Sequence, residues 1–396
     1  MDHAIDIDGL WRVAARKLQA PPSPPRDLHV EGLRRLAAAL QSEGRYDAGA
    51  LRLLQREIFS RILAHLSFSN DLIAYPGILD VPVPRPLLVT GFGRTGSTLL
   101  HNLLALDRQA RAPLLWELWT PSPPPRPETS GSDPRIAIAQ RRLDRFTAAD
   151  PLIRQIHPMQ ARAPDECHWM MLHTPLTAML YQAPEYWAWL KGLGDGELGE
   201  LYSHYRLQVQ HLQLFDRRGH WLSKSSTHLH FMPVLFDVFA DANLVRLHRH
   251  PCEAVPSLCS LVAGYRRLFT QRIDHREIGA TILDMFVDGM ARLMAGAPQG
   301  GPAHGIDIRY RDLVADPVAQ VRRIYADFGY RYGAAFEQDL TRHVENDRAT
   351  ARVRHSYTLE QFGLSRAEVI ERSADYLRWV QPRCGELAET GDPGAG

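Results

Sequence analysis

The residues best suited to binding an anion lie in one glycine-rich stretch, residues 87–104. Leu87-Leu88-Val89-Thr90 is typical of a buried strand, and a turn with glycines at positions 91, 93 and 96 follows it. The turn leads directly into residues whose apolar positions recur at helical spacing. Glycines let backbone N–H groups approach an anion, and the amino end of a helix adds partial positive charge. We therefore predict that a phosphate or sulfate group binds here.

The cation within this turn distinguishes it from the loop of nucleotide triphosphatases. Their pattern, G-x-x-x-x-G-K-[ST], requires a lysine after Gly96, where this chain has Ser97 and then Thr98. Arg94 is the replacement cation, because a guanidinium binds two phosphate or sulfate oxygens at once. A strand-to-helix turn with incidental glycines is the simpler interpretation. The strand before the turn, the helix after it and the Ser-Thr pair favour anion binding.

A second anion site is predicted from a strand–helix pair further along the chain. Arg249 follows the apolar pattern of residues 243–248, and Ser257 lies one and a half to two turns into the next helix. In a parallel sheet both side chains would face the edge where ligands bind. Other interpretations stay open at this point: Arg249 caps a helix or pairs with Asp241, and Ser257 faces solvent.

Strand and helix patterns alternate between residues 81 and 385. This alternation predicts an α/β fold, a P-loop-like three-layer α/β/α arrangement around a parallel sheet. Residues 1–80 read as helices and predict an N-terminal segment that packs as a lid or wall. The proline run at 121–127 predicts a loop. Residues 386–396 predict a flexible tail.

Composition excludes several classes of protein. Lys+Arg total 46 and Asp+Glu total 45 in 396 residues, and this balance argues against nucleic-acid binding or a polybasic membrane anchor. No apolar stretch reaches bilayer length and no signal pattern begins the chain, so we expect a cytoplasmic protein without a membrane segment. The 4 cysteines and 18 histidines show no metal-binding spacing, so no metal is expected. The sequence leaves open whether the chain forms a homodimer.

Two anion sites on one parallel sheet, with a phosphate loop that has lost its lysine, resemble the sulfotransferases that use 3′-phosphoadenosine 5′-phosphosulfate (PAPS). The similarity is greatest to bacterial members with a helical N-terminal segment. The blocks that carry the resemblance are, in chain order, residues 91–100, 164–167, 224–229, 248–251 with Ser257, 310–313 and 355–364. Their order and spacing together make the resemblance specific.

The resemblance implies where the donor PAPS binds. The first loop would hold the 5′-phosphosulfate, whereas Arg249 and Ser257 would hold the 3′-phosphate. A basic loop containing Arg352 and Arg354 would close over the nucleotide, whose spent form is adenosine 3′,5′-bisphosphate (PAP). The contacts from the first loop would be Gly93, Arg94, Thr95, Gly96, Ser97, Thr98 and Leu99.

The resemblance also implies a general base and a charge-neutralising lysine. Related sulfotransferases use a glutamate some twenty residues after the loop to take the proton from the attacking hydroxyl, and Glu117 lies 117 − 94 = 23 positions after Arg94. His228 is the alternative base, because cytosolic relatives use a histidine close after the lysine that corresponds to Lys224. Lys224 and Arg94 would neutralise the departing oxygens. An ordinary surface lysine is the other interpretation of Lys224.

The acceptor is expected to be a small molecule that carries its hydroxyl on an apolar body. Two other classes of function stay open: a nucleotide-dependent kinase or triphosphatase, against which the missing loop lysine counts, and a non-catalytic nucleotide-binding protein of the same fold. Methionines and aromatics at helical spacing are also typical of an ordinary core. The acceptor pocket would combine the N-terminal helices with Trp169, Met170, Tyr181, Tyr186, Trp187 and Trp189.

Overall fold

The computed structural model describes residues 5–44, 46–149, 159–270, 272–296, 305–349 and 357–389. Arg352 and Arg354, and with them the predicted basic loop, lie outside the described residues. The strands are β1 Leu87–Gly91, β2 Ala110–Arg111, β3 His220–Lys224, β4 Asn243–His248 and β5 Gly305–Arg309.

Helices make up most of the rest of the described chain. The α-helices are α1 Ile7–Leu18, α2 Leu28–Ser42, α3 Ala48–Ala74, α4 Ser97–Leu104, α5 Leu115–Trp119, α6 Pro134–Ala149, α7 Pro175–Leu180, α8 Pro184–Lys191, α9 Asp195–Leu212, α10 Leu235–Val238, α11 Pro251–Arg266, α12 His275–Gly296, α13 Tyr310–Ala315, α14 Pro317–Phe328, α15 Ala334–Ala349, α16 Arg366–Arg372 and α17 Ala374–Cys384. Short 3-10 helices lie at Pro76–Asp80, Pro127–Thr129, Cys167–Trp169, Ser226–Leu229, Met232–Val234 and Glu360–Phe362.

Contacts divide the chain into two compact units. The first unit comprises residues 1–83, 113–217 and 262–273, and the second comprises residues 84–112, 218–261 and 274–396. Residues 113–217 thus group with the N-terminal helices. The domain boundaries expected at residues 80 and 385 stay a prediction.

The second unit contains the sheet, whose strand order is β2-β3-β1-β4-β5. All its pairs are parallel, with Leu87 opposite both Leu222 and Asn243. Every residue of β1 and β4 is buried, so the central strands are covered on both faces, as parallel sheets require. Leu100 of α4 and Ile324 of α14 pack in the same core as these strands. The predicted parallel α/β fold is confirmed.

A buried charge network fixes the carboxyl end of β4. Arg246 lies opposite Asp307 in the β4–β5 register and donates to both carboxylate oxygens, at 2.7 and 2.8 Å. His248 Nε2 lies 2.8 Å from Asp307 Oδ1, and its Nδ1 lies 2.9 Å from the Tyr376 hydroxyl. Burial alone would raise the pKa of Asp307, but the hydrogen bonds from His248 and Arg246 hold that pKa well below its usual range. The network therefore orders the strand end from which Arg249 emerges.

The first unit is helical, and its long helices begin at aspartate caps. Asp27 Oδ1 accepts from Val30 N at 2.9 Å at the start of α2, and Asp47 Oδ1 accepts from Ala50 N at 2.8 Å at the start of α3. The amphipathic pattern predicts a helix over residues 48–65, whereas α3 continues to Ala74. These caps set the register in which α2 and α3 present their buried faces.

Three further expectations concern the membrane, the cysteines and the C-terminal tail. None of the helices described here is long and apolar enough to cross a membrane. All four cysteines lie in the described ranges, and none forms a disulfide. Leu387, which the sequence places in a flexible tail, is buried.

Candidate functional site

The phosphate loop has the backbone conformation that its glycines predict. Positive φ angles occur at Gly91 (149°), Arg94 (72°) and Gly96 (88°). A Cβ at Gly91 would lie 2.5 Å from the carbonyl oxygen of Leu247, and one at Gly96 would lie 3.0 Å from the ring of Tyr310. Both positions therefore require glycine, because a Cβ would clash with these atoms and the φ angle is unfavourable for any other residue.

Threonine side chains hold the loop from within. Thr95 Oγ1 donates to the carbonyl oxygen of Phe92 at 2.8 Å, and Thr90 Oγ1 donates to that of Ser225 at 3.0 Å. The N-cap residue of α4 is Gly96, which has no side chain to cap the amino end of the helix. The first N–H groups of a helix have no partner within the helix, so this end is suited to receive an anion.

Arg94, Ser257 and Arg249 come together beside the loop. Arg94 Nε donates to Ser257 Oγ at 3.2 Å, and Arg249 Nη1 donates to the backbone oxygen of Arg94 at 3.1 Å. The guanidinium carbon of Arg249 lies 4.4 Å from the centre of the Tyr310 ring, and its Nε donates to Glu253 at 3.1 Å. Two guanidinium groups and one hydroxyl thus converge in the second unit.

Two of the alternatives that the sequence left open for the second anion site are wrong. Ser257 is buried rather than solvent-facing. The carboxylate that pairs with Arg249 is Glu253, whereas Asp241 accepts from the backbone N–H of Arg85 at 2.7 Å.

Lys224 ends β3 next to the loop. It is buried, with only 2% of its surface exposed, and its Nζ donates to Thr98 Oγ1 at 3.3 Å. The strand register places Lys224 opposite Val89, shortly before the loop begins. The interpretation of Lys224 as an ordinary surface lysine is therefore wrong. Its ammonium group adds a third positive charge to the loop region of the second unit.

The two candidate bases lie in different units. His228 belongs to the second unit, in the 3-10 helix after β3, where it is fully buried with Nε2 3.4 Å from Ser223 Oγ. Glu117 belongs to the first unit, in α5, and is 4% exposed. Its Oε2 accepts from Leu114 N at 2.8 Å, so the carboxylate also caps its own helix.

Two further arginines share a cavity with Arg249, and the sequence analysis assigned no role to this cavity. Arg249 lines a small cavity of the second unit together with His248, His250, Arg309, Tyr310 and Arg311. Leu387 and Ala388 complete its wall. The only signal in the sequence is the block at 310–313, which follows β5. Glu253 also lines the cavity and pairs with Arg249, while Arg309 and Arg311 both pair with Asp312. Three arginines against two carboxylates leave an excess of positive charge, which favours an anionic ligand.

The C-terminal segment is held beside this cavity. Glu389 forms an ion pair with Arg366, and its Oε1 lies 3.3 Å from His250 Nδ1. His250, Cys252 and Glu389 each offer one atom that could bind a metal ion, and these three atoms lie within 4.8 Å of one another. Because Arg366 already neutralises the carboxylate, we assign this cluster to fixing the C-terminal segment.

A larger cavity, called the Trp119 cavity below, lies entirely in the first unit. Its volume is about 60 Å³, and it opens partly to solvent. Trp169 and Met170 line it together with Trp119. The other four aromatics expected there do not: Tyr181, Tyr186 and Trp187 are buried in packing, and Trp189 lies in α8 against Tyr186.

Polar side chains of the Trp119 cavity include residues that the sequence did not single out. Glu57 forms an ion pair with Arg142, and Arg61 Nη1 donates to the carbonyl oxygen of Leu172 at 3.1 Å. Glu57 and Arg61 are four residues apart in the predicted amphipathic helix, and this spacing was the available signal. Gln208 lies in α9, a helix that the sequence analysis did not predict.

Comparisons with known proteins point to one family. The profile of the group described as Sulfotransferase family matches residues 86–333. The omega-hydroxy-beta-dihydromenaquinone-9 sulfotransferase Stf3 of Mycobacterium bovis is 28% identical over 286 residues, which cover 70% of this chain and 68% of that protein. The same enzyme of Mycobacterium tuberculosis matches equally.

Two solved structures resemble the whole chain. Sulfotransferase STF1 from Mycobacterium tuberculosis superposes with a TM-score of 0.83 at 27% identity, covering 95% of this chain and 100% of the other. Sulfotransferase STF9 from Mycobacterium avium superposes with a TM-score of 0.86 at 23% identity, covering 96% and 97%. The second likeness shows the fold.

Proposed function

The chain belongs to the sulfotransferase family, and from that premise we propose that it moves a sulfuryl group from PAPS to a hydroxyl of an apolar small molecule. The sulfotransferase activity follows from the family. The donor, the acceptor class and the roles of individual residues are the proposal.

One observation carries the choice of donor: Arg94, Ser257 and Arg249 converge beside a loop that ends in an uncapped helix. The donor has two separate anionic groups, one on the 5′ side and one at the 3′ position of its ribose. The chain offers groups for both anions. For the 5′ side, the loop supplies backbone N–H groups and Lys224 lies nearby. For the 3′-phosphate, Arg249 lies at a cavity that two more arginines line. An ordinary nucleoside triphosphate has no 3′-phosphate for Arg249 to bind.

The bound donor would supply the sulfuryl group: as the acceptor oxygen bonds to sulfur, the bond to the bridging phosphate oxygen breaks and the hydroxyl proton passes to a base. Arg94 and Lys224 would stabilise the negative charge that develops on the phosphate side. Glu117 would take the proton, with His228 as the alternative. Serine and threonine at the start of α4 would orient the phosphate through their N–H groups.

The acceptor would bind in the Trp119 cavity of the first unit. Its apolar wall, with Trp119, Trp169 and Met170, suits the hydrophobic body of a lipid-like or aromatic alcohol. The curated relative agrees with this class, since its name specifies a hydroxylated dihydromenaquinone as acceptor. A highly polar sugar would leave this wall in contact with hydroxyl groups that it cannot hydrogen-bond.

A transfer assay with ³⁵S-labelled PAPS and a panel of apolar alcohols and phenols tests the proposal. We expect labelled organic sulfate with PAPS and no phosphorylated product with ATP, because the loop lacks the lysine of kinases and triphosphatases. Activity should persist in excess chelator. Phosphoryl transfer from ATP that requires magnesium would support the kinase alternative instead. Binding of PAP without transfer to any acceptor would support the non-catalytic alternative.

A further inference from the structure

The last described residues of the chain form part of the wall of the cavity that Arg249 lines. Residues 386–389 follow α17 and are called the C-terminal strap below. Leu387 and Ala388 of the strap line the cavity, and Leu387 is 7% exposed. The rest of the wall comes from the carboxyl ends of β4 and β5 and from the helices that follow them. The strap therefore lies at the edge of the parallel sheet where ligands bind.

The cavity that the strap leaves at Arg249 is too small for a phosphate group. Its volume is about 10 Å³. One water molecule needs a cavity of about 10–15 Å³ by the same kind of measure. A phosphate monoester brings three free oxygens, each about the size of a water molecule. Such a group does not fit beside Arg249 within these walls unless one of them moves.

The arginine walls of the cavity are held in place. Arg249 donates from Nε to Glu253 and from Nη1 to the carbonyl oxygen of Arg94, each at 3.1 Å. Arg309 Nε donates to Asp312 at 2.6 Å. Both arginines directly follow or end strands of the sheet, whose hydrogen-bonded ladder sets their position. These walls are not the ones that move.

The strap is held by few contacts. Among the described residues, its backbone forms no hydrogen bond with any other part of the chain. Its attachments are the buried side chain of Leu387 and the carboxylate of Glu389, which pairs with Arg366 and lies 3.3 Å from His250 Nδ1. Segments with few buried contacts and no backbone hydrogen bonds open locally at the lowest free-energy cost. The strap is thus the wall that opens most easily.

Gly385 provides the point at which the strap can turn. Its φ of 83° and ψ of 178° form a combination that essentially only glycine adopts. A Cβ at this position would lie 2.9 Å from Nη1 of Arg309. The helix before it is anchored, because the Tyr376 hydroxyl lies 2.9 Å from His248 Nδ1. The strap can therefore change direction at Gly385 while α17 stays in place.

We infer that the C-terminal strap is a gate over the anion site of Arg249. In the closed position described above, the cavity has room for water only, and an anion enters when the strap turns away at Gly385. The excess positive charge of the cavity attracts that anion. Its identification as the 3′-phosphate of PAP or PAPS rests on the proposed function. A gate that is mostly closed lowers the apparent affinity for the anion by the fraction of chains that are open.

Calorimetric titration of full-length Leu387→Ala tests the gate. The substitution removes the apolar contact that holds the strap and changes no charge, so the open fraction should rise. We expect PAP and inorganic phosphate each to bind about tenfold more tightly than to the wild type. Leu340→Ala is the matched control. Leu340 is buried in the core around the sheet and does not line the cavity, so this variant should bind both probes like the wild type.

A second pair of variants separates the attachment of the strap from its charge. Glu389→Gln and Glu386→Gln each remove one negative charge from the strap. Only Glu389 is attached, because Glu386 is exposed and forms no ion pair with a described residue. We expect Glu389→Gln to bind PAP about threefold more tightly than Glu386→Gln. This pair decides the question if Leu387→Ala does not fold.

Unchanged affinity of Leu387→Ala for both probes would overturn the inference. Weaker binding would also overturn it, because the strap would then be part of the occupied site. The proposed function fails separately. If phosphate binds Leu387→Ala more tightly but PAP binds no better than ADP, the gate stands and the donor is wrong. If labelled PAPS is used and Leu387→Ala binds PAP like the wild type, the function stands and the gate is wrong.

Discussion

Arg94 has an unfavourable backbone conformation, but its side chain and its carbonyl oxygen both take part in the proposed anion site. Its φ of 72° lies in the left-handed region, where a residue other than glycine costs about 1–2 kcal/mol. Its guanidinium donates to Ser257, and its carbonyl oxygen accepts from Arg249. Strain of this kind persists only when the surrounding structure enforces it, and it clusters at functional sites. An arginine at this position lowers the stability of the fold but places a guanidinium at the proposed anion site.

Arg94→Ala and Arg94→Gly separate the backbone from the side chain. Both variants remove the guanidinium, so we expect both to weaken PAP binding equally. Glycine also relieves the left-handed strain, so Arg94→Gly should be more stable than Arg94→Ala by about 1 kcal/mol. Thermal unfolding measures the difference in stability, and calorimetry measures the affinity. An alanine variant that is as stable as the glycine variant, or that binds PAP like the wild type, would contradict this assignment.

The proposed base is testable at single residues. Glu117→Gln keeps an oxygen that can accept from Leu114 N, so α5 should stay capped. Loss of a general base lowers turnover by about 10²–10⁴-fold, and we expect that loss here with PAP binding unchanged. His228→Asn is the comparison, with an expected loss below tenfold. Steady-state rates at saturating acceptor decide between them, and the reverse order of effects would make His228 the base.

At the scale of elements, one buried arginine holds the proline segment that leads out of α5. Arg135 Nη1 donates to the carbonyl oxygens of Thr120, Pro121 and Pro123, at 3.0, 3.0 and 2.6 Å. Its Nε and Nη2 donate to the two carboxylate oxygens of Asp133, at 2.9 and 2.7 Å. These hydrogen bonds lower the pKa of Asp133. The segment cannot form helix, so its position depends on this arginine.

Replacing Arg135 should therefore destabilise the chain strongly. Removing one partner of a buried ion pair costs about 3–5 kcal/mol, because the other charge stays buried, and we expect a loss of that size for Arg135→Met in urea unfolding. Asp133→Asn in the same chain should restore part of it. Arg378→Met is the matched control, since Arg378 and Asp375 form an exposed pair that contributes little. Equal effects of the two arginine substitutions would show that Arg135 is not the anchor.

The helices of the first unit also share a cluster of four imidazoles. The ring of His204 in α9 lies 4.5 Å from that of His29 in α2 and 5.4 Å from that of His65 in α3. His173, before α7, lies 6.0 Å from His29, and its Nε2 lies 2.8 Å from the His29 carbonyl oxygen. Burial lowers the pKa of all four, to about 4 for His65 and well below the usual range for His173 and His204.

This cluster should make the first unit sensitive to acid. The unfolded chain binds these protons near pH 6.5 and the folded chain only at lower pH, so stability is complete above pH 6.5 and falls as the pH drops. Each histidine that is protonated only on unfolding contributes about 1.4 kcal/mol per pH unit. His204→Leu should reduce the slope of stability against pH between 4 and 6.5. An unchanged slope, measured by urea unfolding at several pH values, would contradict this account.

At the scale of the whole chain, elements with strong local signals were predictable. Strand 243–248 and helix 317–328 match the structure to the residue. The helix has clear boundary signals, since it begins at Pro317 and is followed by Gly329, whose φ is 65°. The two-residue strand β2 is too short to show alternation. Helix α9 was missed, since its buried side chains are spread over much of its surface and leave a weak stripe.

In the candidate site, too, only the features with a local sequence signal could be predicted. The loop glycines and Arg94 are local, so the sequence shows them. The contact between Arg94 and Ser257 joins residues 163 positions apart, and no spacing rule predicts it without the sheet. The position of Gln208 at the Trp119 cavity could not be predicted, because it depends on which elements pack against its helix. Local conformation is thus readable from the sequence, whereas the partners of each site residue depend on the packing of distant elements.

Calorimetric titration of the chain with PAP, alongside ATP and ADP, tests the central claim most directly. We predict that PAP binds more tightly than either nucleotide and that Arg249→Ala weakens it by about 1.5–3 kcal/mol, as loss of a hydrogen bond to a charged group does. Arg323→Ala, at an exposed arginine paired with Asp327, should leave PAP binding unchanged. ATP binding as tight as PAP binding, or an Arg249→Ala chain that binds PAP like the Arg323→Ala control, would contradict the sulfuryl-donor site.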